Sequence, residues 1–310
     1  MSIRQSVKRC FPFIVPIYQY FKYGQWGSMD KWPEEALIKA DMMYYKQTLR
    51  YKFDLNNPVT FTEKIQWYKF FYEHPDINRI TDKVRFKEYI KEKLGEGYTI
   101  PMYGAWDNVC SLEEEWNKKE GALPEQFVLK ANLQSDDNSI KFIHDKNKVA
   151  FDSIKHEMES WLEIKNTLMN SCDRRFYMSQ PMILAEKFMT DGTDRLTDYK
   201  FFCFNGKPYC VYVDFEHSIL FYDMDWNKLD VKYGHYQNNG EMKCPKTFCE
   251  MKNIAEKLSE GFPFVRVDLY SIDDKVYAGE MTFNPGGGFI PYYPVSFNEK
   301  LGEMFKLPIK

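Results

Sequence analysis

Between Phe264 and Gly288, side chains able to do charge chemistry fall at positions that an extended strand turns to one face, and a glycine cluster follows. Arg266, Asp268 and Tyr270 alternate with Val265, Val267 and Leu269, and beyond a turn at Asp273-Asp274-Lys275 the residues Glu280, Thr282 and Asn284 again take alternate positions. Symmetric closure by the three turn residues sets Asp268 opposite Glu280 and Arg266 opposite Thr282. Two facing carboxylates about 5 Å apart repel unless a cation or a proton lies between them. Hard oxygen ligands on a rigid strand pair suit Mg²⁺, which keeps several waters and completes its shell with substrate phosphates. An ordinary hairpin with acids on its solvent side has the same pattern, and these residues alone leave both readings open.

The elements that must position this hairpin are legible as alternating helix and strand signals. Thr60-Phe61-Thr62-Glu63 is a capping box opening a helix to about Tyr72, closed before Pro75. Thr81 or Asp82 caps a second helix with Val84, Tyr89, Ile90 and Leu94 on one side and Gly95 as its stop. A strand is expected over Tyr98 to Tyr103, then a loop with Trp106 and an acidic patch at Glu113 to Glu115. Phe127 to Lys130 and Ile140 to Ile143 read as strands around the polar loop Asn132 to Ser139. A long helix follows from about Val149 to Met169, and Met182 to Met189 is another strand. Asp198 to Phe204 and Lys207 to Phe215 form a hairpin about Asn205-Gly206, and Phe248 to Leu258 is a helix. Interleaved helices and strands with hairpin connections in the last third predict an α+β fold, not a doubly wound parallel sheet.

The chain's 310 residues, 44% hydrophobic and 17% aromatic, are enough for a large core in two or three closely packed lobes. A formal net charge of −3, from 42 basic and 45 acidic residues, gives no electrostatic case for nucleic-acid binding. Seven scattered cysteines fit reduced thiols in a cytoplasm better than a disulfide framework. The segment Ile3 to Tyr23 mixes Arg4, Lys8, Arg9 and Lys22 with eight large apolar residues, broken by Pro12 and Pro16. It reads as an arm packed on the body, or as a basic-aromatic contact with the inner face of a membrane or with a biosynthetic partner.

Taken in order, Thr81-Asp82-Lys83, Phe127-Val128-Leu129-Lys130, Ala185-Glu186-Lys187-Phe188-Met189, Asp198-Tyr199-Lys200-Phe201-Phe202, Arg266-Val267-Asp268 and Gly279-Glu280-Met281-Thr282-Phe283 resemble the ATP-grasp enzymes. Most closely they resemble the TupA-like family, associated with teichuronopeptide and other bacterial surface-polysaccharide biosynthesis. The resemblance runs from about Pro58 to Leu301 and draws its specificity from six motifs in one order.

It implies an ATP-grasp fold in which two α+β lobes hold ATP. The terminal phosphoryl group passes to a carboxylate, and an amine attacks the resulting acyl phosphate. The implied divisions are an N-terminal helical arm and cap over 1–75, a preceding segment over 76–125, a lid lobe over 126–188 and a core lobe over 189–310. Lys83 and Lys130 would meet phosphates, Lys83 from the first turn of its helix, where backbone N–H groups also favour anions. Glu186, Lys187, Phe188 and Met189 would form the hinge against adenine. Asp198 would meet the ribose and Lys200 a phosphate. Arg266 would grip the transferred phosphoryl group with its planar fork. Asp268 and Glu280, with Thr282 or Asn284, would hold Mg²⁺. The implied reaction is an ATP- and Mg²⁺-dependent carboxylate–amine ligation, joining an amino acid or amine to a uronic-acid-type or glycan-linked carboxylate.

Two departures mark the chain. Thr282 stands where many ATP-grasp enzymes have an asparagine metal ligand. After Lys130, Leu133-Gln134-Ser135-Asp136-Asp137 replaces a His-Gly-Ser-Gly phosphate loop, and only Ser135 keeps its type. Without those glycines, backbone N–H groups approach phosphate less freely. A degenerate protein that binds nucleotide or glycan without turnover is the alternative. A glycosyltransferase, for which only Asp223-Met224-Asp225 speaks, comes third.

Overall fold

A computed structural model describes residues 34–50, 53–121, 123–134, 137–163, 179–192, 196–215 and 218–308. The Ile3 to Tyr23 segment and Ser135 lie outside them. The helices are α1 (Glu34–Leu49), α2 (Phe61–Phe71), α3 (Ile77–Ile80), α4 (Lys83–Leu94), α5 (Val109–Asn117), α6 (Asp152–Trp161), α7 (Phe248–Ser259) and α8 (Val295–Met304). The strands are β1 (Met102–Trp106), β2 (Phe127–Ala131), β3 (Ile140–Ile143), β4 (Ile183–Lys187), β5 (Asp198–Phe204), β6 (Lys207–Phe215), β7 (Ser218–Asp223), β8 (Lys228–Leu229), β9 (Lys232–Tyr233), β10 (Phe264–Ile272), β11 (Lys275–Thr282) and β12 (Tyr292–Tyr293). The fold is α+β, as the order of elements predicts.

Two antiparallel sheets carry it. In the first the order is β1-β4-β2-β3, and in the second β11-β10-β5-β6-β7-β8; β12 and β9 make a small ribbon. Strand alternation sorts the first sheet cleanly. Phe127, Leu129, Ile143, Ile183 and Ala185 are buried with Leu112 and Trp116 of α5 and Ile154, Met158 and Trp161 of α6. Lys130 and Glu186 are thereby turned to the opposite face.

In the second sheet, Phe201 stacks with Phe248 of α7 at 6.0 Å, and the Cys203 thiol reaches the Ala255 carbonyl at 3.8 Å. That covers one face. On the other, Phe61 of α2 lies 4.9 Å from Phe264 and 5.7 Å from Phe202, and Phe305 lies 5.3 Å from Phe264. Full burial of each such ring contributes about 1.5–3 kcal/mol. This aromatic plug seals one end of the face, and the charged residues Arg266, Asp268 and Lys200 follow beyond it along the same strands.

Local signals explain most boundaries. Thr60 and Glu63 form the reciprocal capping box of α2, and Asp82, not Thr81, caps α4 by accepting from the N–H groups of Val84 and Arg85. At Asn205-Gly206 both residues have positive φ, 50° and 78°, as a two-residue hairpin turn requires.

Other boundaries differ from the sequence expectation. The strand expected at Tyr98 to Tyr103 lies at Met102–Trp106, so Trp106 is in a strand. The acidic patch at Glu113 to Glu115 is not loop but part of α5, whose Val109, Leu112 and Trp116 keep a helical apolar spacing. The long helix expected from Val149 to Met169 is shorter: α6 starts at Asp152, after a short turn of 3₁₀ helix over Lys146–Lys148, and ends at Trp161 with Leu162 as its C-cap, and residues 164–169 lie outside the described residues.

The hairpin of β10 and β11 closes differently from the symmetric three-residue turn. Ile272 pairs with Lys275, so Asp273 and Asp274, with φ of 52° and 57°, form a two-residue turn. The register then shifts between Asp268 and Leu269: Leu269 faces Ala278, Asp268 faces Glu280, and Gly279 is the extra residue of a β-bulge. Two turn residues plus one bulged residue restore the expected pairs, Asp268 with Glu280 and Arg266 with Thr282. A Cβ at Gly279 would lie 2.6 Å from Cε2 of Tyr270, so the bulge needs glycine.

Candidate active site

On β10 the Arg266 guanidinium forks onto Asp268, Nε donating to Oδ1 at 2.7 Å and Nη2 to Oδ2 at 2.6 Å. Nη2 also donates to the Thr282 hydroxyl at 3.0 Å, and Nη1 to Tyr212 Oη at 3.3 Å. Strand β5 lies on the other side of β10 and sets Lys200 opposite Asp268. Its ammonium donates at 2.8 Å both to Asp268 Oδ2 and to Asp198 Oδ2. On β11 the Thr282 hydroxyl donates to Glu280 Oε1 at 2.9 Å. Register on three neighbouring strands thus brings Arg266, Asp268, Lys200, Asp198, Thr282 and Glu280 into one connected set.

Burial sharpens the charges. Asp268 is 1% exposed and Arg266 8%. Burial works against the Asp268 charge, but Arg266 and Lys200 outweigh it and hold the carboxyl below its ordinary range. Burial pushes the Asp198 carboxyl up, with Lys200 only partly offsetting it. One of its oxygens, Oδ1, is buried without a hydrogen-bond partner. An orphaned buried acceptor of this kind lacks a donor or a cation.

From the first sheet and α4 come three ammonium groups. Lys130 Nζ pairs with Glu186 Oε2 at 2.7 Å, and Lys87 Nζ with Glu186 Oε1. Lys83, on the same side of α4 one turn earlier, donates to the Gln134 carbonyl. Burial lowers the Lys83 pKa, opposed first by Glu280 of the second sheet, so α4 and the second sheet sense one another's charge there. The N-terminus of α4 is not an open anion site beside Lys83, because the Asp82 carboxylate already accepts from its N–H groups.

The remaining expected positions are also placed. Lys187 has an exposed side chain, and its N–H donates to the Pro101 carbonyl at 2.8 Å. The Phe188 ring lies 5.3 Å from His144 and 6.1 Å from Phe142, and Met189 is half-buried. Asn284 is buried, and its carbonyl accepts from Gly287 at the start of the glycine turn. Asp223 turns inward on its own loop: its carboxylate accepts from the N–H groups of Asp225 and Asn227 and from Asn227 Nδ2. No group of three or more His, Cys, Asp or Glu side chains is arranged to hold a metal among the described residues. Asp268 and Glu280 supply the one or two carboxylates that Mg²⁺ takes while filling its shell with water and phosphate, and the Asp268 oxygens already accept from Arg266 and Lys200.

A model of the TupA-like ATP-grasp family matches residues 63–306, most of the chain and all of the site. The chain belongs to the TupA-like ATP-grasp family. Similar solved structures include D-alanine–D-alanine ligase from Helicobacter pylori, 16% identical, with a TM-score of 0.41 over 74% of this chain and 61% of the ligase. D-alanyl-alanine synthetase A from Vibrio cholerae is 14% identical, with a TM-score of 0.42 over 74% of this chain and 61% of the other. Phosphoribosylamine–glycine ligase from Thermotoga maritima is 13% identical, with a TM-score of 0.40 over 67% and 48%. The chain therefore spans less than two thirds of the length of these ligases. No curated protein sequence matches it.

Within this TupA-like ATP-grasp protein, Lys87 and Tyr212 are site neighbours that the motif reading missed. The Lys87 signal was present: it lies four residues after Lys83, on the same helix face. Tyr212 is opposite Lys200 only because β6 pairs with β5.

The Glu186 triad predicts a specific acid response. Burial raises the Glu186 carboxyl, but Lys130 and Lys87 prevail and hold it at about 2, against an ordinary 4.5. A carboxyl depressed by folding stabilises the fold above its unfolded value and loses that contribution as pH falls through the folded one. The stability margin of the wild type over Glu186→Gln is thus expected to be full near neutrality and to close by roughly 3 kcal/mol between about pH 4.5 and 2. Urea unfolding at a series of pH values measures it, and a margin constant across that range would exclude the triad.

Proposed function

We propose that this TupA-like ATP-grasp protein is an ATP- and Mg²⁺-dependent carboxylate–amine ligase. The observation that carries the reading is the set of basic groups on two sides: Lys83 of α4 and Lys130 of the first sheet on one, Lys200 and Arg266 of the second sheet on the other, with Asp268 and Glu280 paired in register beside the latter. Such an arrangement suits a polyphosphate placed between the lobes, since phosphoryl transfer calls for charge neutralisation and alignment more than for covalent help.

In this reading Lys83 holds phosphate oxygens from α4, Lys130 from the lid and Lys200 from the core. Glu186 to Met189 border the adenine, with the Phe188 ring beside its face. Asp198 takes a ribose hydroxyl, which supplies the donor that its Oδ1 lacks. Arg266 steers the transferred group with whichever N–H bonds it does not keep to Asp268. Asp268 and Glu280, with Thr282 and Asn284 near, are the groups that would hold Mg²⁺, which when bound neutralises phosphate charge and fixes geometry. The substrate carboxylate attacks the γ-phosphorus and ADP leaves. The amine then attacks the acyl carbon and inorganic phosphate leaves.

The acceptor is proposed to be a uronic-acid-type or glycan-linked carboxylate and the amine an amino acid, on the strength of the surface-polysaccharide association of the family the motifs resemble. A cytoplasmic site of action, at the membrane's inner face, goes with that substrate; no described helix is long and apolar enough to cross a bilayer. One observation favours the non-catalytic alternative: the Gln134 carbonyl, in the loop without glycines, already accepts from Lys83. Calorimetry with Mg²⁺ and ATP, followed by an ADP-release screen of uronic acids against amino acids, tests both. Binding with acceptor-dependent ADP release supports the ligase; binding without release under any acceptor pair supports the alternative.

A further inference from the structure

Glu186 is a buried carboxylate with two ammonium partners, and the two are held differently. Lys130 is the one half-buried residue of β2 and has Glu186 as its ion-pair partner at 2.7 Å. Lys87 pairs with the other carboxylate oxygen and also donates to the Ile100 carbonyl at 2.7 Å, so its ammonium is tethered at two points. Among the described residues, the other charged or titratable groups that feel the Glu186 charge are Lys83 on α4 and Tyr270 on β10, and its register neighbour on β1 is the apolar Met102.

We propose that Lys87 is a positioning residue, the standing counter-ion of Glu186 that frees Lys130 to exchange its carboxylate for a nucleotide phosphate. The inference rests on the nucleotide site proposed above. A buried carboxylate stripped of its last cation is strongly unfavourable. With Lys87 in place, Glu186 keeps one partner when Lys130 moves, so no buried charge is left bare. Without Lys87, Lys130 leaves only if Glu186 takes up a proton, because burial then dominates the carboxyl. Lys87 touches neither reacting atoms nor phosphate and acts through Glu186 alone.

The test is calorimetric titration of Mg²⁺ and ATP into the full chain at neutral pH, in two buffers of different ionisation heat so that proton uptake is read with affinity. The proteins are wild type, Lys87→Met, Glu186→Gln and the double variant Lys87→Met/Glu186→Gln. Lys87→Met is expected to bind about 10- to 100-fold more weakly than wild type and to take up more protons on binding. The double variant is expected to lose the extra uptake and to bind within about threefold of Glu186→Gln. Lys87→Gln, which keeps a donor and loses the charge, gives the same reading should Lys87→Met not fold. Wild-type affinity and proton count in the folded Lys87 variants would overturn the inference while leaving the nucleotide site standing. So would weakening that persists undiminished in the double variant. Absence of binding by the wild type itself overturns both.

Discussion

Glu280→Gln is expected to lower ADP formation about 100- to 1000-fold, the scale on which removal of one preorganised charge-stabilising group slows a reaction. The substitution keeps shape and removes charge. Glu280 is half-buried, and its one observed hydrogen bond, from the Thr282 hydroxyl, can go to an amide oxygen as well. The melting temperature is therefore expected to stay close to wild type. That separation of activity from stability is the diagnostic, because Glu280 is the acid of the paired set that no lysine or arginine among the described residues contacts directly, whereas Asp268 is covered by Arg266 and Lys200. A wild-type rate in Glu280→Gln would mean that the metal is held elsewhere. Loss of rate accompanied by an equal loss of Mg²⁺ dependence at low ATP places it here.

Asp268→Ala is expected to act on the fold itself, lowering stability by about 3–5 kcal/mol, because it leaves Arg266 buried and Lys200 with Asp198 alone. Urea unfolding at neutral pH measures the loss. Since the folded Asp268 carboxyl lies below its ordinary range, the wild-type margin over Asp268→Ala is full above that range and declines as pH falls through the folded value. The double variant Arg266→Met/Asp268→Leu, which replaces the fork by apolar groups, is expected to recover most of the stability and none of the ADP release. Recovery of stability without activity would assign the pair to phosphate chemistry. A single variant as stable as wild type would mean that water reaches the ladder and screens it.

Much of the fold was readable because it is written in local chemistry. The Thr60–Glu63 box, the Asp82 cap, the Asn205-Gly206 turn and the alternation in Phe127 to Lys130 each depend on neighbours a few residues away. The misses have local causes too. Three consecutive acids hid the Val109, Leu112, Trp116 helix face, and apolar Tyr98 to Ile100 drew a strand four residues early. At the site, the pairing of Asp268 with Glu280 was right and the route to it wrong. A two-residue turn alone would set Glu280 opposite Val267, on the wrong face, and the Gly279 bulge adds the missing residue.

By itself, the sequence determined which side chains share a strand face, where helices start, and the motif order that marks the TupA-like ATP-grasp family. Strand parity and capping act within a few residues, so they need no knowledge of what packs against them. Only the tertiary structure decided the partners beyond the β10–β11 hairpin. The facing acids call for a cation or a proton between them, and the first charges to neutralise Asp268 are protein cations. Arg266 comes from the same strand, and Lys200 from β5, paired to β10 across more than sixty intervening residues. Lys87 and Lys130 likewise meet at Glu186 only once α4 packs beside the first sheet. Ion-pair energies depend on separation in space and on burial, and sequence distance carries neither.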